Sequence, residues 1–228
     1  MAESGPEKVE PSNQLSDTAR LMKSVQTASW PRRILRLCLV GVGVALGGLA
    51  LSATFPADTD WNALTQLGVG IGDPLADGSN NGREIVGDAN APAVYIYSDG
   101  VDFFVRLRLD GDPRQAASAA NLRPYGWGIL IDTDGNYNNF EYSLLVDGIN
   151  DHIEFAFNSS PGTVGDPSEK AETLLTVPPP PLDDAGADMN VRVINTAATN
   201  SPSSFNGDPD FFLDFSHPVS EIVAAGID

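Results

Sequence analysis

Residues 101–109 read Val-Asp-Phe-Phe-Val-Arg-Leu-Arg-Leu, with every odd position apolar and every even position except Phe104 charged. A helix would scatter these side chains around its axis, whereas a strand sends alternate residues to opposite faces. The segment therefore predicts a strand with one face on a core and one face in water. Upstream, 93–98 (Ala-Val-Tyr-Ile-Tyr-Ser) predicts a second strand, and Asp99-Gly100 between the two tolerate the positive φ that a two-residue hairpin turn requires. Further strands are predicted at 125–132, 140–147, 152–158, 171–177, 190–196 and 211–216. Short strands at a spacing of roughly ten residues point to an all-β sandwich or jelly roll.

The composition of residues 54–228 agrees. They contain 17 Gly, 14 Pro, 14 Asn and 21 Asp but only six Glu and one Lys, so turn formers abound and straight-chain helix formers are scarce. Two stretches break the rhythm. Pro178 to Pro181 cannot donate ladder hydrogen bonds, so this run ends a strand and bridges to Asn190 as an extended loop. Ser216-His217-Pro218, followed by Val219, Ile222, Val223 and Gly226, has a cap, an early proline, helical spacing and a stop, and predicts one short C-terminal helix with His217 at its entry.

Charge divides the chain. Residues 1–53 carry six basic and four acidic groups, and the remainder carries seven basic and 27 acidic ones. Residues 37–53 hold no charge and follow Arg32, Arg33 and Arg36, with small residues at Ala50, Ser52 and Ala53. A basic flank, an apolar core and small residues make an export signal. Two fates stand open for 34–53: cleavage near Thr54, or retention as a membrane anchor at the short end of what spans a bilayer. Either way the basic flank places the N-terminus in the cytoplasm. Arg32-Arg33 is followed by Ile34-Leu35-Arg36, which fits a twin-arginine signal poorly, and Cys38 lies inside the apolar run, where it reads as a small hydrophobe. Residues 1–33 form a polar leader, and 1–29 are too poor in apolar area to offset chain entropy. Residues 54–228 are then one β-sandwich domain by size, secreted or extracytoplasmic, with membrane contact only through the N-terminal segment.

A net charge of −18 excludes nucleic-acid binding through a basic face. One Cys and two His exclude an internal disulfide and a closed thiolate or imidazole zinc site. Any structural metal must therefore be held by oxygen. The run Asp132-Thr133-Asp134-Gly135-Asn136 through Glu141 has carboxylates two residues apart, then Gly and Asn, a pattern that folds several oxygens toward Ca²⁺. It is not an EF-hand loop, because Gly135 is fourth rather than sixth and Ser143 is twelfth where that loop has Glu. Asp132, Asp134 and Asn136 are the candidate ligands; the competing reading is an acidic turn capped by its own side chains. Asp110-Gly111-Asp112, Asp147 to Asp151 and Asp208-Pro209-Asp210 are weaker as individual signals, but together they carry uncompensated charge that a divalent ion would relieve.

No nucleophile motif surrounds His152 or His217, and no Gly-x-Ser-x-Gly occurs, so the sequence predicts no enzyme. His152 alternates with Ile153, Phe155 and Phe157 and falls on the outer face of its strand. Trp127 shares parity with Tyr125, Ile129 and Ile131 and belongs to the core, Tyr137 is the ring best placed for exposure, and Trp61 reads as a linker residue or an edge-strand anchor.

Asp99-Gly100 leading into Phe-Phe-Val-Arg-Leu-Arg-Leu-Asp, Gly-Trp-Gly-Ile-Leu-Ile-Asp-Thr-Asp-Gly at 126–135, and the run from Asp208 to Ile222 carry a resemblance. The pattern resembles β-sandwich domains of bacterial surface proteins, which are similar to family 9 carbohydrate-binding modules and DOMON-like domains. It spans about 58–228 and rests on strand patterning and turns. The resemblance implies a non-catalytic cell-surface binding or structural domain with a glycan or surface partner, the alternative being a carbohydrate-binding module or part of a glycoside-acting enzyme. In those families a strand follows the turn-helix, so the resemblance also implies that the final strand is missing here or that the chain is a piece of a longer protein.

Overall fold

The computed structural model describes residues 54–73, 82–115, 122–136, 139–150, 152–160, 173–175 and 190–227. The signal or anchor segment, the polar leader, Tyr137 and the Pro178 to Pro181 loop lie outside the described residues. The hairpin turn falls one residue later than Asp99-Gly100: Asp99 N donates to Asp102 O at 3.3 Å, which leaves Gly100 and Val101 as its central residues. Gly100 takes φ +89°, and Asp99 Oδ1 accepts the N–H groups of Val101 and Asp102, each at 2.8 Å. Those backbone bonds to Asp102 and Val101 hold the Asp99 carboxyl below its usual range. The turn joins β4 (Val94–Ser98) to β5 (Asp102–Leu109), with Ser98 opposite Phe103 and Val94 opposite Leu107.

Around this hairpin the chain is mostly antiparallel sheet. Three two-residue strands precede it, β1 (Asn62–Ala63), β2 (Thr65–Gln66) and β3 (Val69–Gly70), too short to show any period in the sequence. After it come β6 (Gly126–Ile131), β7 (Tyr142–Asp147), β8 (His152–Phe157), β9 (Thr173–Leu174), β10 (Val191–Asn195) and β11 (Phe211–Pro218). A five-stranded sheet runs β1-β4-β5-β11-β10, a four-stranded one β6-β7-β8-β9, and β2 and β3 form a separate hairpin. All these pairings are antiparallel. The core draws on both larger sheets: Val105, Leu107, Leu109, Leu213 and Phe215 from one, and Trp127, Leu144, Val146, Ile153 and Phe155 from the other. Trp127 is core, as its parity predicts.

The C-terminal helix α1 (Val219–Ala224) is short, and Gly226 at φ +89° ends it. The cap differs from expectation. β11 continues through Pro218, paired with Asp102, so Ser216 and His217 are buried strand residues and the helix starts without a side-chain cap. A proline at the end of a strand can be tolerated without disrupting the ladder, so the helical spacing begins one step later than the cap-like residues suggest.

The alternation in 101–109 predicts a wet even-numbered face, yet Phe104, Arg106 and Arg108 are buried. The segment before β1 and the loop after β10 cover that face. Arg106 lies with its guanidinium 4.3 Å from the ring centres of both Trp61 and Phe212. Its Nε and Nη2 donate to the two oxygens of Asp214 at 2.7 and 2.9 Å, and its Nη1 donates to Asp58 at 3.3 Å. Arg192 donates twice to Asp214 Oδ2, at 2.9 and 2.7 Å, while lying 4.5 Å from the Phe55 ring. Arg108 is the other side of the stack, 4.5 Å from Phe212. It donates to Pro92 O, Ser201 O, Ser201 Oγ, Ser203 Oγ and Tyr95 Oη. A strand with arginines on one face can bury both faces when each guanidinium is forked onto acceptors and sandwiched by rings.

Asp214 is fully buried and serves two arginines, so its removal leaves the buried Arg106 guanidinium with Asp58 at 3.3 Å as its one remaining carboxylate. We expect Asp214→Ala to lower the unfolding free energy by about 3–5 kcal/mol in urea titration. Arg106→Lys, which keeps the charge but loses the fork, should also destabilise measurably. A loss below about 1 kcal/mol for Asp214→Ala, the scale of an exposed pair, would refute the buried-pair assignment.

Candidate metal centre

β6 ends at Ile131, which faces the core, and β7 begins at Tyr142 directly across from it. Continuing that register by one residue sets Asp132 opposite Glu141, and Glu141 N donates to Ile131 O at 3.0 Å. Between them the chain turns through Gly135 at φ +80°. Asp132 Oδ1 accepts the N–H of Asp134 at 3.1 Å and of Gly135 at 2.8 Å, and Asp134 Oδ1 accepts that of Asn136 at 2.7 Å. Glu141 Oε2 accepts from Thr133 N at 2.8 Å and from Thr133 Oγ1 at 3.2 Å.

Asp132, Asp134 and Glu141 bring carboxylate oxygens within 4.8 Å of one another. Oxygens about 2.3–2.6 Å from a shared Ca²⁺ lie within such a span, so the three could hold a metal ion. The arrangement joins the two sequence readings: the carboxylates cap their own turn, as an acidic turn does, and they also converge. Of the predicted ligands, Asp132 and Asp134 come together, and Asn136 contributes its backbone N–H to Asp134. Glu141 was missed as a ligand because its place depends on hairpin register. Counting back from an apolar inward-facing Tyr142 to an opposite strand ending at Ile131 is the signal that could have found it.

A second group is formed by Asp147, His152 and Glu154. Asp147 ends β7 opposite His152 at the start of β8, and Glu154 follows on the same face. His152 Nε2 lies 2.7 Å from Glu154 Oε1. His152 thus takes the outer-face position its alternation predicts, though half-buried. Asp147 is already engaged, accepting from Ile149 N at 2.7 Å and Asn150 Nδ2 at 2.6 Å. The Asp147 to Asp151 turn is therefore built on Asp147 itself.

The remaining sequence candidates are structural. Trp61 is buried against Arg106 beside the edge strand β1, which selects the anchor reading over the linker. His217, placed at the helix entry by sequence, instead sits in the core, its ring 5.1 Å from that of Phe155. Its Nε2 is 3.0 Å from Glu221 Oε2 but makes no hydrogen bond there. Burial pushes its pKa down to about 4.

A histidine whose folded pKa lies below its unfolded value takes up a proton on unfolding. The stability it permits is full above about pH 6.5 and is lost as the pH falls toward 4, by up to about 3 kcal/mol. Melting temperatures measured from pH 7 to pH 4 should fall less steeply for His217→Leu than for the wild type. Parallel curves for the two proteins would show that His217 is not the group being protonated.

Comparison with known proteins finds no matching family model, no matching curated protein and no matching solved structure. No family is assigned.

Proposed function

We propose that this chain is an exported, non-catalytic β-sandwich domain that serves at the cell surface in binding or as a structural piece, and that Ca²⁺ stabilises it. The observation that carries the reading is the convergence of Asp132, Asp134 and Glu141 from the two arms of one hairpin. Three carboxylates this close repel one another, and a domain with seven basic against 27 acidic groups beyond residue 53 has little positive charge to offset them. Calcium takes six to eight oxygen ligands and tolerates irregular geometry, which suits a turn whose backbone is already held by its own side chains. The export step rests on the basic flank and uncharged run at 37–53, which would deliver the domain to a compartment where millimolar Ca²⁺ supports even a weak site.

Among the described residues the large exposed apolar side chains are aliphatic, such as Leu67, Val101 and Ile149. The alternative of a carbohydrate-binding module needs a ring free to cover a sugar face, and Tyr137, the ring the sequence places best for exposure, lies outside the described residues.

Melting curves in EDTA and in millimolar CaCl₂ test the calcium step. An ion that binds only the folded state adds about 2.7 kcal/mol at a hundredfold excess over Kd, so the wild type should melt several degrees higher in CaCl₂. Asp134→Ala and Glu141→Gln should each reduce that shift; an undiminished shift in both would remove Ca²⁺ from this loop. Export has its own check: cell fractionation should recover either a mature protein beginning near Thr54 or an intact membrane-bound one. Intact protein found soluble in the cytoplasm would defeat both versions.

A further inference from the structure

The pairing of β5 with β11 ends at Leu109 opposite Phe211, and one more step sets Asp110 opposite Asp210. Both side chains lie on the face that carries Arg106, Arg108, Phe212 and Asp214, since parity alternates along each strand. Like charges directly across a strand pair are unfavourable even in water. Here the residues are 2 % and 0 % exposed, and Asp110 Oδ1 and Asp210 Oδ2 are buried without any hydrogen-bond partner. Their other oxygens are held in place, Asp110 Oδ2 by Asn206 Nδ2 at 2.8 Å and Asp210 Oδ1 by Phe205 N at 3.1 Å. Two carboxylates are thus fixed side by side, each with one buried oxygen that nothing satisfies.

No guanidinium compensates them among the described residues. Arg108, the nearest along the same face of β5, has all five of its N–H directions aimed at Pro92, Ser201, Ser203 and Tyr95. The charged groups acting on Asp110 are all acidic: after burial itself, Asp210, Glu84 and Asp208 raise its pKa, and only the Asn206 hydrogen bond opposes them. Glu84 is buried and its backbone carbonyl accepts Asp110 N at 3.0 Å. Asn206 and Asp208 sit at the exposed rim, where Gly207 takes φ +100° and Asp208 N donates to Asn206 Oδ1 at 2.9 Å. The sequence signal was the Asp208-Pro209-Asp210 turn and the Asp110-Gly111-Asp112 turn, distant in the chain and weak singly.

We propose that Asp110 and Asp210, at the end of the β5–β11 pairing and with Asp208 at the solvent rim, form a second cation site that takes a hard divalent ion of the calcium class. All the donors are oxygens, which suits calcium rather than a soft transition metal. The two unpartnered buried oxygens supply the anionic floor, with Asp208 at the exposed rim. The site is independent of the Asp132 hairpin, since it lies on the other sheet and shares no residue with it.

Isothermal titration of CaCl₂ into the EDTA-stripped full chain, purified in mild detergent, tests this. Asp210→Asn removes a charge from the pair and should weaken one class of Ca²⁺ sites on the order of a hundredfold. Asp208→Ala, an exposed change that keeps the buried pair and the fold, should weaken the same class about tenfold. Asp134→Ala leaves this class intact, so loss of the hairpin reading and loss of this one give different isotherms. The proposal is overturned if Asp210→Asn and Asp208→Ala both retain the wild-type isotherm. It is equally overturned if Asp210→Asn raises the melting temperature by the same amount in EDTA and in CaCl₂, because that result marks a carboxyl pair sharing a proton.

Discussion

Asp214 sits fully buried at the centre of β11, with Arg106 forked onto it from β5 and Arg192 from β10. The three residues come from three adjacent strands of the five-stranded sheet, so the ion cluster ties the middle of that sheet across its own ladder. Rings flank it: Trp61 and Phe212 lie against Arg106, and Phe55 lies against the partly exposed Arg192. Because Phe55, Asp58 and Trp61 all precede β1, the cluster also fastens the start of the described chain to the back of the sheet. A buried ion pair is seldom a net gain over apolar packing, but losing one partner is severe.

The same arrangement explains why the rest of the surface is so negative. The arginines of the described residues are engaged in internal contacts: Arg106 and Arg192 on Asp214, Arg108 on backbone carbonyls and hydroxyls, Arg123 on the carbonyls of Asp112 and Arg114. Arg114 forks onto Asp112 at 2.8 and 2.7 Å, and Arg83 lies 5.6 Å from the Tyr125 ring. Few cations remain to face the acidic loops. Carboxylates at the ends of strands then have three ways to lower their energy: to cap their own turns, as Asp99 and Asp147 do, to take a proton, or to share an exogenous cation. The Asp132 hairpin and the Asp110–Asp210 pair differ in how far the first route satisfies them. In the hairpin each carboxylate already accepts backbone N–H groups, whereas at Asp110 and Asp210 one buried oxygen on each side chain is left over.

Local pattern made most of the strands legible. Alternation at 101–109, the inward parity of Trp127 and the stop at Gly226 each depend on neighbours within a few residues, and the structure agrees with all three, while the hairpin turn falls one residue later than Asp99-Gly100. Errors arose where the outcome depended on a distant segment. Alternation reports which residues share a face but not what covers that face, so the burial of Arg106 and Arg108 could not be read from it. Ser216-His217-Pro218 has the chemistry of a helix cap, yet pairing with Asp102, Phe103 and Phe104 keeps it in a strand, because ladder bonds and core burial outweigh a local capping preference.

The candidate sites divide along the same line. Sequence by itself determined that a closed thiolate or imidazole metal site is excluded, that the Asp132-Thr133-Asp134-Gly135 run turns back on itself, and that the chain beyond residue 53 carries far more acid than base, since these follow from residue identity and short-range geometry. Only the tertiary structure decided that Glu141 joins Asp132 and Asp134, and that Asp110 meets Asp210 across a sheet. Both meetings are consequences of strand register. Register is set by burying whole apolar faces at once, a condition on the entire sheet that no short window of sequence contains.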